Sequence, residues 1–496
     1  MAKSLITVVL LAALVAQDTA QSLANELRAL ADRVARLASA EQPSTSVAEP
    51  GRLQAAIDAA APGTTVWLRG GTAYPDHVVI RKSVTLDTQG LTLPVGYQVT
   101  DADKAAMASL TPANNGPQIV IAPGTAGVSL ARIYIARSNA NAIIQCGSSD
   151  STQTTVEQMP RDITITQVVI EGDDRPGATG AKRGIEVACA PLTVRDSRIV
   201  DIRRTGQDTQ AIGGWNTTGP ITIENNYLEA AGENIMFGGA DPTMPGVVPR
   251  GLVVRRNVLT KDLAWKGTPV TVKNAFELKA GVDVTIEDNI LENVWVGQGS
   301  YAVQFTVQSQ DGRNPQVAVN TVRFRRNTVR NVGGGINVIG WPQINSSVGL
   351  RSFGFEICEN EFQIDRATYG GQGWALFASR EVSDVTFCNN TVDTNGNQVI
   401  VQDGAPVLQM RVTGNLFVRS GVYGISGYAN GTTQHRAAFL STYFPGGVVS
   451  GNAFGSFPTP SNLPGNLHMS TAAMLPLIVN GYGTGVLEPY GRRRVQ

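Results

Sequence analysis

The sequence has little charge, few histidines and few cysteines. Charged residues make up 16% of its 496 residues, and 40 basic side chains balance 40 acidic ones. A chain with no excess of positive charge offers no electrostatic surface for nucleic acid, so we expect no such partner. Its three histidines share no motif, and its four cysteines lack the CxxC spacing of zinc sites, so we expect no metal and no cofactor.

Long apolar runs are also missing after residue 16, and we therefore expect no stable insertion into a membrane. The N-terminus permits two interpretations. Lys3 and the apolar run of residues 5–16 resemble a cleaved secretory signal. Leucine and valine at 4-3-4-3 spacing over residues 23–37 instead predict a retained coiled coil, which could form a homotrimer.

An internal repeat dominates the chain from about residue 118. Segments such as ITIENNYL, VTIEDNIL and VTFCNNTV alternate apolar and polar residues, reach an asparagine, and then return to an apolar residue. The asparagines recur at intervals of 25 to 38 residues, and a repeat of this size indicates a solenoid. They are Asn226, Asn257, Asn289, Asn327, Asn360, Asn390, Asn415 and Asn452.

The type of solenoid follows from the pattern within each repeat. The units are rich in β-branched residues and alternate with period two, so they are strands. They are too far apart for hairpins, so each must pair in parallel with its successor one coil later. A second strand per coil is visible between them, as in ENIMFGG and NAFELKA. The sequence therefore predicts an all-β fold, a single right-handed parallel β-helix in which the stacked asparagines hydrogen-bond to one another at a bend.

The repeat also sets the predicted boundaries. We expect a signal or coiled-coil helix over residues 1–40, a polar linker over 41–50, the β-helix over 51–480 and a tail over 481–496. Leu53, Ala56, Ile57 and Ala60 share one face of a short amphipathic helix that Pro62 ends. This helix would cap the first coil, whose strands would otherwise expose a sheet edge.

The four cysteines follow the register of the repeat. Cys358 and Cys388 each stand two residues before a repeated asparagine, and NAIIQC and GIEVAC place Cys146 and Cys189 in an earlier pair. Neighbouring parallel strands are about 4.8 Å apart, which a disulfide accepts. We favour the disulfides Cys146–Cys189 and Cys358–Cys388, and with them an oxidising exterior, over free buried thiols in a reducing compartment.

Candidate functional groups must lie on an outer face or in corner loops, because side chains fill the interior of such a solenoid. With Phe276 and Leu278 directed inward, Lys273, Glu277 and Lys279 face outward, and residues two apart on a strand are about 7 Å apart. Trp341 could stack on a sugar ring or pack at a corner. Further polar or aromatic candidates for binding are Asp208, Gln210, Trp215, Asn216, Gln304, Gln308, Asp311, Arg313 and Asn337.

Two reactions are compatible with these residue types. Glu277, with Lys273 and Lys279 beside it, could remove a proton next to a uronate carboxyl group, which is lyase chemistry. Glu233 and Asp241 could serve glycoside hydrolysis if their carboxylates lie about 5 to 9 Å apart. The alternative is that these residues form solvated, ion-paired ladders with no chemistry.

Several longer strings carry a resemblance to a known family. They are GQDTQAIGGWNTTGPITIENNYLEAAGENIMFGGADP, WKGTPVTVKNAFELKAGVDVTIEDNILENVW, FTVQSQDGRNP, NVGGGINVIG and, near residue 95, LPVGYQVTDADKAAM. Over roughly residues 50–480 the sequence resembles a branch of the pectate-lyase-like β-helix superfamily, found among secreted bacterial proteins and in phage-like contexts. That superfamily includes polysaccharide lyases, glycoside hydrolases and phage tailspikes, so the resemblance implies a fold and leaves the activity open.

Three functions therefore remain open. The first is an extracellular or virion-surface protein that recognises a polysaccharide or cell-surface glycan, as a secreted binding protein or a tailspike would. The second is a polysaccharide depolymerase, either a lyase or a glycoside hydrolase. The third is a structural fibre or virion component without a ligand.

Overall fold

The computed structural model describes residues 47–470, with the exception of residues 112–114, 343–347, 420, 422, 430–431, 435–436, 456–462 and 464. The predicted signal or coiled coil of residues 1–40 and the predicted tail of residues 481–496 lie outside the described residues. Within those described residues, no helix has both the length and the apolar character needed to cross a membrane.

Three long sheets make up the fold, and the chain visits each of them once per coil. Within each sheet a strand pairs with the third strand before it and the third strand after it along the chain, except among the last strands of each sheet. All pairings are parallel except that of the last two strands of sheet 3. This is a right-handed parallel β-helix, so the predicted fold class is confirmed.

Sheet 1 consists of β1 (Thr64–Arg69), β4 (Val84–Gln89), β7 (Ala126–Ala131), β10 (Arg161–Thr166), β13 (Leu192–Arg195), β16 (Ile221–Glu224), β19 (Leu252–Arg255), β22 (Gly281–Glu287), β25 (Val319–Arg325), β28 (Phe353–Cys358), β31 (Ser383–Cys388), β34 (Arg411–Thr413) and β38 (Val448–Ser450). Sheet 2 consists of β2 (Ala73–Tyr74), β5 (Ala108–Leu110), β8 (Ile133–Ser138), β11 (Val169–Gly172), β14 (Arg198–Ile202), β17 (Tyr227–Ala230), β20 (Val258–Thr260), β23 (Ile290–Val294), β26 (Thr328–Val332), β29 (Glu361–Ile364), β32 (Thr391–Thr394), β35 (Leu416–Arg419), β39 (Ala453–Gly455) and β40 (Leu467–Met469).

Sheet 3 consists of β3 (Val78–Ile80), β6 (Ile119–Ile121), β9 (Ile144–Cys146), β12 (Arg183–Val187), β15 (Gln210–Gly214), β18 (Glu233–Phe237), β21 (Phe276–Leu278), β24 (Val303–Thr306), β27 (Ile336–Ile339), β30 (Leu376–Ser379), β33 (Gln398–Asp403), β36 (Gly424–Ala429) and β37 (Thr432–Gln434). The α-helices are α1 (Leu53–Ala59), α2 (Arg366–Tyr369) and α3 (Ala437–Tyr443), and short 3-10 helices cover Asp101–Ala105, Val156–Gln158 and Leu263–Trp265.

Each full coil contains three strands, one more than the sequence pattern predicts. The segment ITIENNYL forms two strands, β16 and β17, with Asn225 and Asn226 between them. Asn225 has a left-handed backbone, with φ 54°. A single residue in this conformation turns the chain from sheet 1 into sheet 2, so the bend needs no loop that would interrupt the alternation.

This left-handed residue recurs before the repeated asparagines. Non-glycine residues occupy the position in several coils, with φ 56° at Arg256, 52° at Arg326 and 63° at Glu359. Glycine takes the same position at Gly414 and Gly451, with φ 68° and 69°. The corner geometry therefore stays constant while the residue type varies. For this reason the sequence pattern does not show that the chain turns at this position.

The asparagines form a continuous hydrogen-bonded ladder inside this corner. The side-chain oxygen of Asn327 accepts from the backbone N–H of Asn289 at 3.0 Å and from its amide at 2.9 Å. Its own amide donates to the Ile286 carbonyl at 2.9 Å and to Asn360 at 3.2 Å. Equivalent bonds run from Asn226 to Asn452 and continue to Asn466. The ladder side chains are buried and satisfy backbone groups that water cannot reach.

The first coil begins earlier than the sequence pattern indicates. Val47, inside the predicted linker, forms a parallel bridge with Trp67, and the Ala48 carbonyl accepts from the Tyr74 hydroxyl at 2.9 Å. The sequence does not reveal this pairing, because two paired residues at a sheet edge are too few to show the alternation of a strand. Helix α1 follows and buries Leu53 and Ile57 against the core, at the end of the solenoid where the cap is predicted.

Both cysteine pairs are joined in the structure. Cys358 and Cys388 face each other across β28 and β31 with a Cα–Cα distance of 4.6 Å. Cys146 is opposite Val187 in the register, so its partner Cys189 lies two residues further on, with a Cα–Cα distance of 5.6 Å. The sequence pattern predicts that Cys146 and Cys189 occupy the same position in the coil register. In the structure Cys189 lies two residues beyond that position.

Candidate functional site

The outer face of sheet 3 carries most of the predicted site residues, between β15 and β27. Gln210 is opposite Glu233 in the register. Glu277 is opposite Gln304, and Gln304 is opposite Asn337 on the next coil. Since neighbouring strands are about 4.8 Å apart, these side chains form two adjoining polar rows that together extend over five coils.

Glu233 is the most enclosed group on this face. It opens β18 and has no exposed surface. One carboxylate oxygen, Oε2, accepts from the Gln210 amide at 2.8 Å. The other, Oε1, accepts no hydrogen bond, and the Lys273 ammonium group lies 3.5 Å from it. Glu233 is thus a fully buried carboxyl group that is held by one hydrogen bond and one ion pair.

Lys273 joins two carboxylates at the centre of the face. Its ammonium group donates to Asp208 at 2.6 Å in addition to its contact with Glu233. Burial alone lowers the pKa of Lys273, but the charges of Glu233 and Asp208 outweigh burial and raise it. Lys273 is therefore a fixed positive charge at neutral pH.

Glu277 lies one coil further on and is held by its neighbours. Its side chain faces outward between the buried Phe276 and Leu278, yet it is 1% exposed. The Gln304 amide donates to it at 3.0 Å, and the Lys279 ammonium group is 3.5 Å away. Asn337 donates in turn to Gln304 at 3.3 Å, so the row is connected from coil to coil.

The pKa of Glu233 differs from that of an exposed carboxyl group. Burial, and then the negative charge of Glu277, raise the pKa of Glu233 to about 7, against the opposing charge of Lys273. A carboxyl group with such a pKa can hold a proton at neutral pH and release it, which is the property required of a general acid or base.

Lys261 lies beneath Glu233 and was not predicted from the sequence. Its ammonium group is buried and donates to the carbonyls of Ala230 at 3.0 Å, Gly232 at 2.5 Å and Asn274 at 3.2 Å, and to the Asn234 side chain at 3.3 Å. Burial lowers its pKa to about 7. Lys261 thereby fixes the two corners that carry Glu233 and Lys273. In the sequence, the role of Lys261 is indicated only by the presence of a lysine at a position where the coil pattern predicts an apolar residue.

The hydrolase hypothesis pairs the carboxylate of Asp241 with that of Glu233, but in the structure hydrogen bonds within the protein occupy the Asp241 carboxylate. Its buried carboxylate accepts from the Ser309 hydroxyl at 2.6 Å and from the backbone N–H groups of Arg313 at 2.8 Å and Asp311 at 3.2 Å. These bonds join two corner loops, so we assign Asp241 a structural role. The carboxylate that most raises the pKa of Glu233 is that of Glu277.

The remaining predicted residues divide between the face and the loops beside it. Asn216 is fully buried and donates to the Ser148 carbonyl at 2.9 Å and to Thr243 at 2.8 Å, so it is corrected from a binding to a structural residue. Trp215 is half-buried, with the Arg183 guanidinium 4.8 Å from its ring centroid. Gln308 is 7% exposed, and its backbone N–H donates to the Lys279 carbonyl at 3.0 Å. Asp311 and Arg313 pair with each other on the exposed part of the loop.

Aromatic side chains adjoin the polar rows on the C-terminal side. Phe377 follows Asn337 in the register. Its ring stacks with that of Tyr301 at 6.1 Å between centroids and with that of Trp374 at 5.3 Å. The sequence pattern does not reveal this group, because Tyr301 is 73 residues from Trp374 and 76 from Phe377, and only the coil register brings it beside them.

Comparison with known proteins gives weak matches only. No family model matches the chain, and no curated protein matches it. Among solved structures, the chain is 13% identical to the family 6 alginate lyase AlyGC with a TM-score of 0.48, over 86% of this chain and 53% of that one. The chain thus spans about half the length of that lyase.

Two further solved structures are similar at the same level. A mannuronic-acid-specific family 6 lyase from human gut microbiota is 14% identical with a TM-score of 0.46, over 88% of this chain and 92% of that one. PfbA, a surface adhesin of Streptococcus pneumoniae, is 12% identical with a TM-score of 0.45, over 78% and 91%. Identities this low carry no functional assignment.

Proposed function

We propose that the protein binds a polysaccharide along the outer face of sheet 3. One observation carries this proposal. The coil register sets Gln210 beside Glu233, and Gln304 between Glu277 and Asn337, so five carboxylate and amide side chains follow one another along one outer face. The Lys273 ammonium group lies beside this row, 2.6 Å from Asp208 and 3.5 Å from Glu233. Carboxylate, amide and ammonium groups together can exchange hydrogen bonds with a ligand rich in hydroxyl groups.

The shape and composition of the face favour a long carbohydrate. From β15 to β27 it extends about 19 Å along the solenoid, at about 4.8 Å per coil. Carboxylates, amides and lysines bind hydroxyl groups, and the adjoining aromatic rings offer apolar surface to the C–H groups of a sugar. Both signs of charge are present, so neither a strongly anionic nor a strongly cationic polymer is required.

The same proposal includes a location outside the cell, on a secreted protein or a virion surface. The two disulfides support it, because disulfides persist in oxidising environments. A homotrimer formed through residues 23–37 is a further part of the proposal. The intact mass and the solution mass of the full chain test cleavage and trimerisation together.

Binding to an immobilised panel of bacterial and plant polysaccharides tests the proposed face. Lys273→Met removes the ammonium group between Asp208 and Glu233. Since hydrogen bonds to charged groups contribute about 1.5–3 kcal/mol, affinity should fall about tenfold or more.

Lys104→Met is the matched control. Lys104 also lies between two carboxylates, Asp101 at 2.7 Å and Glu171 at 3.0 Å, and is 20% exposed against 17% for Lys273. Glu171 belongs to β11 of sheet 2, so this variant should bind as the wild type does. Equal losses in both variants, or no loss in Lys273→Met, would place the ligand elsewhere.

Cleavage of the bound polysaccharide is the second candidate function. It is favoured by the raised pKa of Glu233, whose carboxyl group lies on the same face as that of Glu277. New reducing ends without ultraviolet absorbance would indicate a hydrolase, and reducing ends with absorbance of an unsaturated product would indicate a lyase. Glu233→Gln should abolish either product. Cleavage that survives this substitution would exclude Glu233 as the proton-transfer group.

A further inference from the structure

A separate cavity lies at the C-terminal end of sheet 3, beyond the face described above. Its volume is about 430 Å³, and Trp341, Phe377, Ser379 and Asp403 contribute to its lining. Phe377 and Ser379 are two residues apart on β30, and Val401 and Asp403 are opposite them on β33, so all four project to the outer side of the sheet. Phe377 is three coils from Glu277, or about 14 Å along the solenoid.

The wall of this cavity is held in a fixed orientation. The indole N–H of Trp341 donates to Glu381 at 3.0 Å. Arg351 pairs with the same carboxylate, and its guanidinium lies 5.1 Å from the Trp341 ring centroid. One face of the indole is therefore covered by a cation, and the ring is oriented before any ligand arrives.

Backbone strain is concentrated at the same place. Arg380 and Glu381, which also line the cavity, are consecutive non-glycine residues in the left-handed region, with φ 53° and 61°. Gly340 allows this turn, since a Cβ there would lie 2.2 Å from the Arg380 carbonyl oxygen. Strain of this kind persists only where surrounding contacts enforce it, and it is found disproportionately at ligand sites.

The charges of the cavity are balanced. Glu381 is neutralised by Arg351, and Arg380 and Asp403 contribute one charge of each sign. The Asp403 side chain is exposed and makes no hydrogen bond or ion pair with the described residues, so its carboxylate is available as an acceptor. Two aromatic walls, a free carboxylate and a hydroxyl group suit a ring with one apolar face and several hydroxyl groups.

We propose that this cavity is a second carbohydrate site, which takes one neutral pyranose ring against Trp341 and Phe377. The inference rests on the proposed function in one respect, namely that the bound ligand is a polysaccharide. A single chain of this kind could then extend along the solenoid axis from the Glu233 region to the last coils. The aromatic group of Tyr301, Phe377 and Trp374 lies between the two places and makes the path continuous.

Saturation-transfer NMR on the full chain tests the site with single sugars. The probes are the methyl glycosides of glucose, galactose, mannose and N-acetylglucosamine, with methyl glucuronide as the charged comparison. At least one neutral glycoside should receive saturation, strongest at the C–H protons of one ring face. Trp341→Ala and Asp403→Ala should each reduce that signal at least fivefold.

Trp67→Ala is the control, because Trp67 is also half-buried but lies on β1 of sheet 1. It should leave the signal unchanged. If Trp341→Ala unfolds by circular dichroism, Asp403→Ala decides alone, since its exposed side chain supports no other group.

The outcomes also separate this site from the proposed face. Lys273→Met should leave the monosaccharide signal intact, whatever it does to polysaccharide binding. The cavity assignment would be overturned if no neutral glycoside gave a signal, or if the glucuronide alone gave one. It would also be overturned if the signal in Trp341→Ala and Asp403→Ala were as strong as in the wild type, even if the Lys273 experiment supports the face.

Discussion

Removing one rung of the asparagine ladder should destabilise the protein far more than removing an exposed asparagine. In Asn327→Ala, the backbone N–H and the amide of Asn289 lose their common acceptor, at 3.0 and 2.9 Å, and the Ile286 carbonyl loses a donor at 2.9 Å. All of these groups are inside the solenoid, where water cannot replace the lost partner. The Asn289 amide keeps its bond to the Val254 carbonyl at 2.9 Å, so two buried groups lose a partner that nothing replaces. At about 1–3 kcal/mol for each, the free energy of unfolding should fall by about 2–6 kcal/mol.

Urea unfolding followed by circular dichroism measures this loss on the full chain, and hydrogen exchange of the peptides around Asn289 and Asn327 shows whether it is local. The matched control is Asn397→Ala, an exposed asparagine in the corner before β33. It should change the free energy of unfolding by less than about 0.5 kcal/mol. A loss below about 1 kcal/mol for Asn327→Ala, or equal losses for both variants, would refute the view that the ladder holds the corner.

Further predictions concern Lys261 and the left-handed corner residue. Lys261→Met should lower the free energy of unfolding by about 3–5 kcal/mol in urea at pH 6, because it leaves four buried oxygen atoms without their hydrogen-bond donor. Burial lowers the pKa of Lys261 to about 7 from 10.5, so its contribution is present above pH 10.5 and is lost as the pH falls through 7. The difference between wild type and Lys261→Met should therefore grow from pH 7 to pH 9, and a constant or shrinking difference contradicts this titration. Glu359→Gly should stabilise the protein by up to about 1 kcal/mol, because glycine adopts φ 63° without strain, whereas Glu359→Val should destabilise it. Thermal melts that rank the two variants in the opposite order would exclude strain at this corner.

The repeat made the fold predictable from sequence, because alternation with period two and an asparagine at a fixed place leave few other arrangements. The coil register follows from the same pattern, and it is this register that brings Glu277, Gln304 and Asn337 into one row. The third strand of each coil was missed because one left-handed residue makes the corner, and residues as different as Arg256 and Gly414 occupy that position.

The details of the site depend on properties that the pattern does not contain. Nothing in the local sequence distinguishes Asp241, which joins two loops, from Glu233, whose buried carboxyl group is paired with Gln210 and Lys273. The sequence does not reveal the role of Lys261, because this role depends on four oxygens from two other segments of chain, residues 230–234 and residue 274. Burial decides each of these roles, and burial at a corner depends on loops from neighbouring coils.

Hydrogen exchange of the full chain, with and without a polysaccharide that the binding panel identifies, tests the central claim most directly. Binding along the outer face of sheet 3 should slow exchange in the peptides that enter β15, β18, β21 and β24, around residues 208–210, 232–234, 272–275 and 300–303. Peptides of sheet 1 and sheet 2 in the same coils should not change. Protection confined to sheet 1, to sheet 2 or to the ends of the solenoid would contradict the account.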